Sequence, residues 1–167
     1  MELLIIRHAT AFERDRHRWA DDGLRPLSPV GVRRSRKAAA GLKEFCKAPD
    51  RLLTSPLIRA RETAQILTEI AGWPRAEIAR ELTPGEGAAA VLTLLAKDRS
   101  KRIALVGHQP DLSALLTACL LKDHRALPIE MKKNAVACLS FGGRARAGSA
   151  VLKWLATPRL LRGLGNP

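Results

Sequence analysis

Near its beginning the chain carries the run Glu2-Leu3-Leu4-Ile5-Ile6-Arg7-His8-Ala9, in which four aliphatic residues stop abruptly at an arginine and a histidine. A short aliphatic run of this kind favours a buried β-strand. It is far shorter than the roughly 18 consecutive apolar residues that a membrane span requires. We therefore expect a strand over residues 2–6, with Arg7 and His8 at its carboxyl end.

The same pattern, an aliphatic strand that ends in polar residues, occurs twice more along the chain. Leu52 to Thr54 leads into Ser55-Pro56-Leu57-Ile58-Arg59, and Ile103 to Val106 leads into Gly107-His108. Segments with apolar residues at helical spacing separate these strands. The sequence thus alternates strand and helix, which is typical of a parallel sheet covered by helices.

Local signals place the other elements around these strands. Ser28-Pro29 is an N-cap followed by proline at the first helical position, and Gly72 is a typical helix stop. Two late strands over residues 136–141 and 150–155 flank a turn rich in Gly and Arg, which predicts a hairpin. The fold class is therefore α/β: a three-layer α/β/α sandwich with a mostly parallel central sheet and an antiparallel edge hairpin.

Composition limits the domain organisation and the cellular setting. A chain of 167 residues with 46% hydrophobic residues fits one domain, which we place at residues 1–157, followed by a loosely held basic tail over residues 158–167. Three widely spaced cysteines indicate buried reduced thiols rather than disulfides. With neither a signal peptide nor a membrane span in the sequence, we expect a cytoplasmic protein that makes no membrane contact.

The net charge of +13 predicts attraction to anionic partners without naming one. The three tryptophans are scattered and tyrosine is absent, so the sequence offers no stacking platform for bases and predicts no specific nucleic-acid partner. There is no HExxH or equivalent spacing for a metal, and two arginines near the histidines would repel a cation. We therefore expect neither a metal nor another cofactor.

The three strand ends bring the chemistry together, because the carboxyl ends of parallel strands open into one crevice. That crevice would hold His8, His108, Arg7 and Arg59. Guanidinium forks suit a phosphoryl dianion, and a neutral imidazole is a competent nucleophile towards phosphorus. One histidine would attack, while the other would donate a hydrogen bond to the phosphoryl oxygens.

These segments resemble the histidine phosphatase (phosphoglycerate mutase-like) superfamily in order and spacing. Within it, two further segments are most similar to the SixA-type phosphohistidine phosphatases: Arg25-Pro26-Leu27-Ser28 and Glu81-Leu82-Thr83-Pro84-Gly85. The resemblance spans roughly Met1 to Leu155. It implies a metal-independent phosphatase that forms a covalent phosphohistidine.

The resemblance also assigns roles to residues. It implies that His8 is the nucleophile, that Arg7, Arg59 and His108 form the phosphate pocket, and that Arg25 lies near it. Glu81 aligns with the proton donor of larger relatives, although Glu86 lies in the same Pro/Gly-rich stretch. One position departs from the family pattern: the glycine that usually follows the nucleophile is Ala9 here, which we expect to be tolerated.

Three functions remain open from the sequence. The first is a phosphatase acting on phosphohistidine in a protein, and the second is a phosphatase or pyrophosphatase acting on nucleotides or polyphosphate. The third is a basic phosphate-binding module without turnover. A phosphoglycerate mutase is disfavoured, because retaining the phosphorylated intermediate needs a closed pocket that this chain is too short to build.

Overall fold

The computed structural model describes residues 1–121 and 129–165. Two 3-10 turns, Asp22–Leu24 and Arg80–Leu82, accompany the regular elements. In chain order the strands and helices are β1 (Glu2–Arg7), α1 (Pro29–Phe45), β2 (Arg51–Thr54), α2 (Ile58–Ala71), β3 (Glu77–Ile78), α3 (Gly87–Lys97), β4 (Arg102–Gly107), α4 (Asp111–Leu120), β5 (Val136–Phe141), β6 (Ala150–Ala156) and α5 (Pro158–Leu164).

The six strands form one sheet in the order β3-β2-β4-β1-β5-β6. β3, β2, β4 and β1 are parallel, while β5 and β6 add an antiparallel hairpin. In register, Arg7 of β1 lies beside Gly107 of β4, and Thr54 of β2 lies beside Val106. The predicted α/β fold with an antiparallel edge hairpin is confirmed. The three polar segments lie together at the carboxyl end of the parallel strands.

Two apolar layers enclose the sheet because side chains alternate between the faces of each strand. Leu4 and Ile6 of β1 point into the layer with α1, α2 and α5, whereas Leu3 and Ile5 pack against α3 and α4. All four side chains are buried almost completely. The strand that ends in Arg7-His8 is therefore held on both faces.

The predicted helix signals act as expected at two positions. Ser28 accepts a hydrogen bond from the Gly31 N–H and so caps α1, with Pro29 in its first turn. Gly72 ends α2 in a left-handed conformation (φ 70°) that glycine adopts without strain. α2 begins at Ile58, and Ser55, which lies between β2 and α2, makes side-chain contacts with His108 and the Leu57 N–H.

The expectation of a loosely held tail from Pro158 is wrong for residues 158–164. Thr157 caps α5 by accepting a hydrogen bond from the Leu160 N–H, and Leu161 is buried in the core shared with α1 and α2. The packing against α1 is close, since a Cβ added at Gly41 would lie 1.9 Å from the Leu161 carbonyl oxygen. Residues 166–167 lie outside the described part of the chain.

All three cysteines are free thiols, in agreement with the absence of predicted disulfides. Cys119 and Cys138 are buried, and burial raises the pKa of Cys119 to about 12 and that of Cys138 to about 11. Cys46 is only half-buried, because it lies just after the end of α1. Across residues 1–121 and 129–165, none of the helices has the length and apolar character to cross a membrane.

Candidate active site

The two histidines predicted to share a site lie side by side where β1 and β4 end. Their ring centroids are 5.0 Å apart and the ring planes are tilted by 51°. The backbone holds this arrangement: the His8 N–H donates to the Gly107 carbonyl (3.0 Å), and the Ser55 N–H donates to the Val106 carbonyl (3.0 Å). Residues about a hundred positions apart in sequence thus become neighbours through parallel strand pairing.

The hydrogen bond of His8 defines its tautomer. Its Nδ1 lies 2.7 Å from the Ala9 carbonyl oxygen, which can only accept, so Nδ1 carries the proton and Nε2 keeps a lone pair. Burial, reinforced by the charges of Arg59 and Arg7 and opposed by the Ala9 hydrogen bond, lowers the pKa of His8 to about 3. His8 is therefore a neutral imidazole at physiological pH, with a nitrogen able to act as nucleophile.

His108 is held by Ser55, the residue that directly follows β2. Its Nε2 lies 2.8 Å from Ser55 Oγ, which also accepts from the Leu57 N–H (3.3 Å). The serine hydroxyl can donate to Nε2, and in that arrangement the proton of the imidazole is on Nδ1. That Nδ1 is buried without a hydrogen-bond partner. Burial first, then the neighbouring His8 and Arg59, lowers the pKa of His108 to about 3.

Arg7 and Arg59 enter the same site with part of each guanidinium unused. Arg7 donates to the Met131 carbonyl (2.7 Å), and Arg59 donates to the Asp22 carbonyl (2.8 Å). The Nε atoms of both arginines are buried without a partner, and burial is the main cause that lowers the pKa of each. Orphaned donors are uncommon in folded proteins, and these two could each donate to a further acceptor, as Trp73 Nε1, buried without a partner elsewhere in the core, could also.

Asp22, which the sequence analysis did not single out, joins two of the predicted arginines. Its carboxylate lies 3.2 Å from Arg59 through Oδ2 and accepts from the Arg25 Nε at 2.8 Å. The hydrogen bond from Arg25, with the charge of Arg59, holds the pKa of Asp22 below its usual range. Arg25 also donates to the Phe12 carbonyl (2.6 Å), so it acts on the pocket through Asp22. The one sequence signal was a carboxylate three residues before Arg25.

Thr63 is a second residue that the sequence analysis missed. It accepts from the Ala9 N–H (2.9 Å) and donates to the Arg59 carbonyl (2.7 Å), which fixes the segment after His8 to α2. Ala9 is fully buried in the core, and its backbone is not among the left-handed ones of the described residues. The methyl group therefore fits without strain. The spacing of four between Arg59 and Thr63 was the available signal, because such residues share a helix face.

The predicted acids lie in the segment before α3. Glu81 belongs to the 3-10 turn Arg80–Leu82 and is half-buried, and Glu86 directly precedes α3. The segment is tied to the start of α4 by a bond from the Gly85 N–H to Asp111 (3.2 Å). Neither glutamate side chain makes a hydrogen bond or ion pair within residues 1–121 and 129–165, so the assignment of an acid stays a prediction.

Comparison with known proteins identifies the family. The family model of the histidine phosphatase superfamily (branch 1) matches residues 3–83, which include Arg7, His8 and Arg59. A curated protein of Picosynechococcus sp., itself uncharacterised, is 38% identical over 115 residues, or 67% of this chain and 68% of that protein. The chain belongs to the histidine phosphatase superfamily. This membership supports phosphatase activity.

Solved structures of histidine phosphatases superpose on nearly the whole chain. The protein histidine phosphatase SixA in complex with tungstate has a TM-score of 0.81 and 25% identity, covering 95% of this chain and 98% of its own. A candidate SixA from Nakamurella multipartitia has a TM-score of 0.72 and 28% identity, covering 94% and 95%. The alpha-ribazole phosphatase of Shigella flexneri, with a TM-score of 0.71 and 17% identity over 95% and 97%, shares the fold.

Proposed function

We propose that this histidine phosphatase transfers a phosphoryl group from phosphohistidine in a protein to Nε2 of its own His8, and then to water. One observation carries the proposal: a buried imidazole with a free Nε2 lies beside three buried side-chain nitrogens without a hydrogen-bond partner, Nε of Arg7, Nε of Arg59 and Nδ1 of His108. With Nδ1 of His108 protonated all three are donors, and a tetrahedral oxyanion would supply their acceptors. SixA, a similar structure, forms a complex with such an oxyanion, tungstate.

The reaction proceeds in two displacements at phosphorus. His8 Nε2 uses its lone pair to form a P–N bond as the bond to the leaving group breaks, and the departing group keeps that electron pair and takes up a proton. Water then attacks phosphorus, the P–N bond to His8 breaks, and inorganic phosphate leaves with His8 neutral again. Arg7, Arg59 and the His108 Nδ1–H hold the equatorial oxygens in both steps. In this scheme no step needs a metal.

The surroundings of the proposed acid favour a good leaving group. A phosphohistidine releases imidazole, whose unperturbed pKa of about 6.5 makes it a far better leaving group than an alkoxide. Glu81 has no partner within residues 1–121 and 129–165 to hold it in place for proton donation. Phosphoramidates and phosphoanhydrides therefore suit the site better than alkyl phosphates, and nucleotides or polyphosphate are the second candidate substrates.

The test uses purified protein with a chelator and no added metal, an aryl phosphate and a phosphohistidine peptide. We expect turnover of both substrates, an acid-labile phosphoenzyme in the first turnover, and loss of all three in His8→Ala. His17→Ala, at an exposed loop histidine, is the matched control and should keep full activity. Binding of phosphate without turnover of either substrate would overturn the proposal in favour of a binding module.

Glu81→Gln separates the substrate classes. We expect a small loss on the phosphohistidine peptide and a larger loss on an alkyl phosphate, because only the alkoxide needs an acid. Equal losses on both substrates would contradict the inference from the leaving group.

A further inference from the structure

A groove of about 490 Å³ adjoins the candidate active site between α2 and the edge strand β3. Its inner end is lined by Thr54 and Ile58, which directly precede Ser55 and Arg59 in the chain. Ile78, at the end of β3, pairs with Thr54 across the sheet and lines the same end. The groove therefore starts at the carboxyl ends of β2 and β3, near the place where the phosphoryl group would bind. From there it extends along α2, away from the active site.

The charged side chains of this groove that have no hydrogen bond or ion pair among the described residues are both arginines. Arg61 and Arg75 line it, and neither guanidinium has a hydrogen bond or ion pair within residues 1–121 and 129–165. The two glutamates of the groove have partners within the protein. Glu62 keeps its negative charge and accepts from the Leu27 N–H (2.7 Å), whereas Glu69 pairs with Arg36 (3.1 Å). An occupant with carboxylates would find two unpaired guanidiniums, and these form strong charge-assisted hydrogen bonds with carboxylates.

The groove also offers apolar surface and a sheet edge. Ile78 is 57% exposed, and Ile58 and Ala76 are half-buried in the lining. β3 pairs only with β2, so its outer edge is unpaired among the described strands. An extended polypeptide can use such an edge through its backbone while its side chains occupy the groove.

We infer that this groove docks an extended acidic segment of the phosphorylated protein, adjacent to the phosphohistidine that enters the active site. The inference rests on the proposed function and deepens it, because it assigns the protein substrate a binding surface beyond the phosphoryl group. Charge complementarity selects the occupant: a segment with Asp or Glu side chains and at least one apolar residue. A small phosphorylated compound would not reach Arg75 at the far end of the groove.

The experiment compares three substrates: an aryl phosphate, a phosphohistidine peptide flanked by Asp and Glu, and the same peptide flanked by Asn and Gln. The variant is Arg61→Glu combined with Arg75→Glu. We expect kcat/KM for the acidic peptide to fall about tenfold, mostly through KM, since exposed ion pairs are individually weak and reversal turns attraction into repulsion. The aryl phosphate should react as with the wild type.

The matched control is Arg144→Glu, which makes the same kind of charge reversal in the β5–β6 turn at the opposite edge of the sheet. It should leave all three reactions unchanged. Equal kcat/KM for the acidic and neutral peptides with the wild type, or equal losses on the acidic peptide and aryl phosphate in the double variant, would overturn the inference. Failure of the proposed function has a different outcome, because the wild type would then hydrolyse neither phosphohistidine peptide, whether or not it hydrolyses the aryl phosphate.

Discussion

Lowering the pH from 7 to 5 should destabilise this protein through its two buried histidines. His8 and His108 are 7% and 4% exposed, and each has a pKa of about 3 in the folded chain. In the unfolded chain a histidine titrates near its ordinary value of about 6.5. Between these values the unfolded state binds more protons, so the free energy of unfolding falls as the pH falls from 6.5 towards 3.

The expected loss follows from proton linkage. Between pH 7 and pH 5, a histidine with pKa values of about 6.5 unfolded and about 3 folded removes about 2 kcal/mol of stability. The two histidines together remove about 4 kcal/mol, a large part of the roughly 5–15 kcal/mol that stabilises a typical domain. Asp22, whose pKa is lowered, contributes stability that is lost at more acidic pH, below the ordinary aspartate range.

Urea unfolding at pH 7, 6 and 5 measures this loss directly. His8→Asn keeps a donor for the Ala9 carbonyl, and His108→Gln keeps a polar atom near Ser55, so each removes the titration with little change in shape. Each variant should lose about 2 kcal/mol less than the wild type over this pH range. His17→Asn, at an exposed histidine, should not differ from the wild type. If the double variant loses as much stability as the wild type, the argument from buried neutral histidines is refuted.

Three substitutions test other parts of the site and fold. Thr63→Val removes the acceptor of the buried Ala9 N–H, so it should lower the free energy of unfolding by about 1–3 kcal/mol and reduce kcat, measured by urea titration and aryl phosphate turnover. Asp22→Asn removes a negative charge beside Arg59, so inorganic phosphate should inhibit about threefold to tenfold more tightly. Gly41→Ala should lower the free energy of unfolding by about 1–3 kcal/mol, because its Cβ would overlap α5, and thermal unfolding will measure this.

Matched controls separate these causes from general effects. Thr68→Val removes a hydroxyl from the same helix without touching the site, so a similar loss of kcat there would contradict the role of Thr63. Asp21→Asn changes the same charge one residue earlier, and phosphate inhibition as tight as in Asp22→Asn would indicate a non-specific effect. Gly143→Ala adds a methyl group in open space, and destabilisation equal to that of Gly41→Ala would argue against the overlap.

The part of the fold that the sequence predicted is the part encoded in local patterns. Aliphatic runs that end in polar residues located the three central strands, and the rule that parallel strand ends share a crevice brought His8 beside His108. Ser28 and Gly72 marked helix ends because capping depends on a few neighbouring residues.

The parts that the sequence missed depend on contacts between distant elements. Asp22 lies in a loop rich in charge, where nothing local shows which carboxylate reaches Arg59. The end of the chain was misjudged because glycines and basic residues indicate a loose tail. Thr157-Pro158 repeats the cap and proline signal of Ser28-Pro29, and Leu161 supplies the apolar contact. The local sequence therefore encodes this helix, but the prediction gave more weight to the basic, glycine-containing composition of the segment.

The position of β1 between β4 and β5 determines when activity can arise during synthesis. The ribosome delivers β1 before its two neighbours in the sheet, which begin only at Arg102 and Val136. A nascent chain that has emerged only to its midpoint therefore holds His8 without the Gly107 carbonyl and without His108. Synthesis must pass β4, His108 and β5 before the proposed phosphoryl-transfer centre exists, so products that end before these residues would carry the proposed nucleophile but no working enzyme.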